Sequence, residues 1–98
     1  MPKLVRDNYP AIAKKKGETM NCHVATPPEY KELLRKKLSE EVKEFLESEE
    51  PIELADILEV VRSIAREKGL TFQSILDLRD KKRKEKGGFD KRLVWDEQ

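Results

Sequence analysis

Residues 26–69 read TPPEYKELLRKKLSEEVKEFLESEEPIELADILEVVRSIAREKG, and this stretch decides the fold. It opens on a helix start. Thr26 can cap, Pro27 suits the first helical position because its missing N–H has no partner there anyway, and Glu29 completes a capping box. Leu34, Leu38, Val42 and Phe45 follow at helical spacing, which predicts a helix over 27–47. Ser48-Glu49-Glu50 breaks the pattern and Pro51 opens a second helix. Its apolar stripe is Leu54, Ile57, Leu58, Val61, Ile64 and Ala65, and Gly69 ends it. Arg66 and Lys68 suit the negative end of the helix dipole. So short a connection predicts antiparallel neighbours.

Outward from this hairpin the pattern continues. Thr71 can cap a third helix over 72–86, with Phe72, Ile75, Leu76 and Arg79 marking its inner side and Gly87-Gly88 stopping it. Before the hairpin, Leu4 to Lys16 reads as a short first element with Pro10 in its opening turn and Gly17 at its end. Met20, Cys22 and Val24 alternate with polar residues, as in a short extended stretch. Phe89, Leu93, Val94 and Trp95 make an apolar tail, expected to pack on the bundle or on a partner subunit. The expectation is one all-α domain over 1–98: an antiparallel hairpin and a third main helix packed as a bundle.

Composition bounds the function. In 98 residues, 42% are charged and 37% hydrophobic, a highly charged surface around a modest core, so burial against a second copy is expected. Lys+Arg 21 and Asp+Glu 20 nearly cancel, which argues against a nucleic-acid or membrane surface role. With one cysteine, Cys22, no intramolecular disulfide forms, and a small buried thiol is the expectation. No apolar run is long enough to span a bilayer and no signal-peptide pattern opens the chain, so the cytoplasm is the expected location.

The hairpin also carries carboxylates. Glu41 and Glu44 are three apart on the first helix, and Glu53 and Asp56 three apart on the second, with Glu40 alongside. That spacing puts each pair on one face, with Cβ atoms about 5–6 Å apart. Glu44 and Glu53 are equidistant from the turn, as are Glu41 and Asp56, so the two pairs should meet at two adjacent levels. Two readings follow. Acidic helix faces are commonly solvated and paired with Lys. Alternatively, facing carboxylates hold a divalent cation, and the lack of a nearby His favours Mg2+ or Mn2+ over zinc or iron.

Glu40-Glu41-x-x-Glu44 followed by Glu53-x-x-Asp56 resembles the EExxE…ExxD signature of the all-α nucleoside triphosphate pyrophosphohydrolases, which include MazG-like enzymes, dimeric dUTPases and phosphoribosyl-ATP pyrophosphohydrolase. Lys3-Leu4-Val5-Arg6-Asp7 and Lys86-Gly87-Gly88-Phe89 look like the small phosphoribosyl-ATP pyrophosphohydrolase-like branch, so the resemblance covers nearly the whole chain. It implies Mg2+-dependent cleavage of a nucleotide between its α- and β-phosphates, in a homodimer or larger assembly. Glu41, Glu44, Glu53 and Asp56 would be metal ligands. Glu40 would be a further ligand or would orient the attacking water, giving Glu40 and Glu41 the catalytic roles.

The chain departs from the family pattern in two places. The gap from Glu44 to Glu53 is shorter than in the better-known members, and Lys82 and Lys86 stand near where a Lys and an Arg usually meet phosphate. Arg6 and Lys3 are further phosphate-contact candidates, weighed against surface pairing, and His23 has no evident role. House-cleaning of non-standard nucleotides is the expected role. The alternatives are phosphoribosyl-ATP hydrolysis in histidine biosynthesis and a non-catalytic helical dimerisation module. A nucleic-acid-binding module built on Lys81 to Lys86 is disfavoured by Glu85 and by the neutral chain.

Overall fold

The computed structural model describes residues 2–96, and among them every regular element is a helix. Four follow in order: α1 (Tyr9–Lys15), α2 (Pro27–Ser48), α3 (Pro51–Glu67) and α4 (Phe72–Lys86). The α2–α3 hairpin is the body of the molecule, and α4 packs on α3.

Local chemistry sets the boundaries. At the start of α2 the capping box is closed both ways: Glu29 N donates to Thr26 Oγ1 at 3.4 Å, and Thr26 N donates to Glu29 Oε1 at 3.3 Å. His23 Nε2 lies 3.0 Å from both Glu29 oxygens, tying the preceding segment to this cap. The turn into α3 is made by Glu49, left-handed at φ 57°, whose N–H donates to Phe45 O at 2.7 Å, with Pro51 restarting the helix at once. α3 ends in paired bonds around Gly69 (φ 78°), Gly69 N to Arg66 O and Leu70 N to Ala65 O, a left-handed cap that a Cβ would strain. Thr71 caps α4 by accepting from Ser74 N at 3.0 Å.

The buried face of α2 runs through Leu34, Leu38, Glu41 and Phe45, so the most enclosed charged side chain of the described residues occupies a core position. On α3 the enclosed positions are Val60 and Ala65, with Ile57, Val61 and Ile64 half-buried. Leu54 and Leu58, expected inside, are exposed, because the apolar stripe of α3 is wider than its neighbours α2 and α4 cover. Val42 and Leu46 turn outward on α2 for the same reason.

Three further expectations change. The first helix begins at Tyr9, not near Leu4; residues 4–6 form an arm without regular structure, and Asp7-Asn8 turn into the helix, with Tyr9 N donating to Arg6 O at 3.0 Å. Met20 to Val24 pairs with no strand among the described residues and is irregular, and Cys22 within it is exposed rather than buried. The tail does not pack on the bundle, for Phe89 is 97% and Trp95 82% exposed.

The chain is therefore open. Its accessible surface is 9042 Å², against about 5,800 Å² for a compact monomer of 11.5 kDa. Its radius of gyration is 17.4 Å, where about 13 Å is usual at this length. No helix of the described residues is long and apolar enough to cross a membrane.

Candidate metal centre

The hairpin brings Glu41, Glu53 and Asp56 together, each with a carboxylate oxygen within 4.8 Å of the others. Glu40, Glu41 and Glu44 form a second group by the same measure. Glu41 belongs to both. It sits on the core stripe of α2 directly opposite α3, where the antiparallel register places Glu53 and Asp56 on the facing stripe. Glu44 approaches Glu41 along its own helix but does not share a group with Glu53, so the acidic residues make two triads with a common member.

Glu41 is 6% exposed, and its two oxygens differ. Oε1 lies 3.4 Å from Lys37 Nζ, one turn earlier on α2, whereas Oε2 is buried with no hydrogen-bond partner. A buried carboxylate oxygen without a donor is costly, by about 1–3 kcal/mol. Burial, and then the neighbouring Glu44 carboxylate, push the Glu41 carboxyl up from the ordinary range, and Lys37 pulls it part of the way back. Burial works against the Lys37 ammonium, but Glu40 and Glu41 outweigh it and hold that ammonium charged to higher pH.

Two cations reach the site from the N-terminal arm. Arg6 Nη2 donates to Asp56 Oδ1 at 2.6 Å, and that bond raises the Arg6 pKa against the opposing effect of burial. Lys3 Nζ lies 3.9 Å from Glu40 Oε1, and Lys37 Nζ reaches the same oxygen at 3.4 Å. Lys37 follows from spacing alone, three positions before Glu40 and four before Glu41. Arg6 as a partner of Asp56 had no local signal, since the contact joins residues far apart in the chain.

The donor set fits a hard divalent cation. It offers only carboxylate oxygens: Glu41, one of whose oxygens has no hydrogen-bond partner, meets Glu53 and Asp56 across the hairpin. Glu41, Glu53 and Asp56 would hold such an ion, with Glu40 and Glu44 at its edge. Lys82 and Lys86 lie exposed on α4 and do not line the cavity that contains Glu41 and Asp56; Arg6 does. Comparison with protein-family models, curated proteins and solved structures finds no match for this chain.

Proposed function

We propose that this chain is a Mg2+- or Mn2+-dependent nucleotide pyrophosphohydrolase that releases a nucleoside monophosphate and pyrophosphate. The observation that carries the reading is the orphaned Oε2 of the buried Glu41 beside Glu53 and Asp56. A scaffold helix has no use for a carboxylate at a core position opposite two others, because repulsion and desolvation both destabilise it.

A divalent cation bound there polarises a phosphate oxygen and offsets the charge that builds in an in-line displacement. The protein's own groups do the rest. Glu41, Glu53 and Asp56 present the ligand oxygens, and Glu44 adds negative charge behind Glu41. In this reading Glu40, half-buried and paired with Lys37, takes a proton from the attacking water. Lys37 keeps the cluster tolerable in the folded state.

The reading includes a homo-oligomer, supported by about 3,200 Å² of surface beyond that of a compact monomer and by the exposed Leu46, Ile52, Leu54, Leu58 and Leu78. It also includes a cytoplasmic role in clearing non-standard nucleotides, with phosphoribosyl-ATP as the alternative substrate. Pyrophosphate release from a panel of canonical and modified nucleoside triphosphates and phosphoribosyl-ATP, with Mg2+, tests it. Release that disappears in Glu53→Ala supports the reading. A silent panel favours the non-catalytic dimerisation module, in which Arg6 and Lys37 would merely neutralise the acidic face.

A further inference from the structure

Along α3, on the same side as Asp56, runs a cavity of about 890 Å³ between the hairpin, the N-terminal arm and the start of α1. Its size is that of a small-molecule site. Both ends carry charge of both signs. Glu41 and Asp56, with Arg6 and Lys37, line one end; Arg62 and Arg66, four positions apart on α3, line the other beside Glu59 and Glu67. The helix rise puts Arg62 about 9 Å along the axis from Asp56. Tyr9 of α1 and Tyr30 of α2 also line the cavity and give it aromatic surface.

Neither arginine is locked away. Arg62 is 3.4 Å from Glu59, with both side chains more than two-fifths exposed, a pairing that water and salt weaken readily. Both arginines are exposed residues, and both line the cavity. Two forked guanidinium groups one turn apart can each donate in parallel to phosphate oxygens, which a lysine ammonium cannot do.

We propose that this cavity is the nucleotide site, with Arg62 and Arg66 receiving the phosphates beyond the reacting one and Tyr9 and Tyr30 receiving the base. This rests on the pyrophosphohydrolase reading and moves the phosphate contacts from Lys82 and Lys86 on α4 to α3. The ligand class is a nucleoside polyphosphate: an anionic chain that spans from the Glu41 and Asp56 end to the Arg62 and Arg66 end, joined to a flat ring that stacks on an aromatic face.

Two probes separate the parts: tripolyphosphate, and the α,β-methylene analogue of ATP, each titrated calorimetrically with Mg2+ present. Mn2+ binding without either probe is measured in parallel by electron paramagnetic resonance. Arg62→Ala/Arg66→Ala is expected to weaken both probes about tenfold or more while Mn2+ binding stays unchanged. Tyr9→Ala is expected to weaken the nucleotide analogue and leave tripolyphosphate untouched. Lys82→Ala/Lys86→Ala should change neither. Circular dichroism confirms that each variant is folded, and Arg62→Lys/Arg66→Lys, which keeps charge but loses the fork, should fall between wild type and the alanine pair.

Equal binding of both probes by wild type and by the double arginine variants overturns the assignment, as does a wild type that binds neither probe. Loss of Mn2+ binding in wild type would instead defeat the metal reading. The two failures are therefore distinct.

Discussion

The guanidinium of Arg6 sits 2.6 Å from Oδ1 of Asp56, fifty positions away. It ties the N-terminal arm to α3 at the end of the cavity that Glu41 and Asp56 line. Asp56 is also one of the residues that would hold a divalent cation, so guanidinium and cation would compete for its carboxylate. Arg6→Ala should raise Mn2+ affinity severalfold and expose residues 2–8 to proteolysis, while changing global stability by less than about 1 kcal/mol because the pair is partly exposed. Limited proteolysis and Mn2+ titration check both. Unchanged metal affinity would mean that Arg6 does not compete.

Glu41 links pH to stability. Its carboxyl is raised by burial and by Glu44, so the folded chain holds its proton more tightly than the unfolded chain does. The stabilisation this brings is fully present below the ordinary value of 4.5 and is lost as pH rises through the raised native value. In a chelator-treated sample, wild type should lose stability over that window. Glu41→Leu, which continues the apolar stripe of Leu34, Leu38 and Phe45, should abolish the loss and gain about 1–2 kcal/mol at neutral pH, together with complete loss of metal response. Urea denaturation at several pH values gives both quantities. A strongly destabilised Glu41→Leu would show that the Glu41–Lys37 pair holds the hairpin together.

Assembly follows from area. A chain with Leu54 at 48% and Leu58 at 55% exposure on one helix face should not remain single in solution. Sedimentation at micromolar concentration should show at least a dimer, and Leu54→Glu/Leu58→Glu should shift it to monomer and lower its melting temperature. A wild type that sediments as a stable monomer would contradict the assembly.

The helices were legible because their signals are local. Thr26, Pro27 and Glu29 specify one helix start, Pro51 the next, and Gly69 an end, each through a bond or a forbidden bond within a few residues. The meeting of Glu41 with Glu53 and Asp56 was legible as well, since antiparallel register follows from a short turn. What failed was what depends on neighbours outside the element. Nothing local tells that α2 covers only part of the α3 stripe and leaves Leu54 and Leu58 outside. Cys22 is apolar in character yet exposed, and the tail from Phe89 to Trp95 finds no cover on its own bundle, because apolar character does not say which surface supplies the partner. Arg6 on Asp56 is a long-range contact and leaves no periodic trace. The local signal of Arg66 is its fit to the helix dipole, and Arg62 has none; the cavity that gathers both is a tertiary feature.

The most direct test of the metal centre is a thermal melt with and without Mn2+ on wild type and on Glu53→Ala/Asp56→Ala. A cation that binds only the folded state stabilises it by about 2.7 kcal/mol at a hundredfold excess over its dissociation constant. Wild type should show that shift and the double variant should show none while keeping its helical content, as its caps lie elsewhere. If the double variant gains the same shift as wild type, the cation sits elsewhere, and Glu41, Glu53 and Asp56 are not the metal centre.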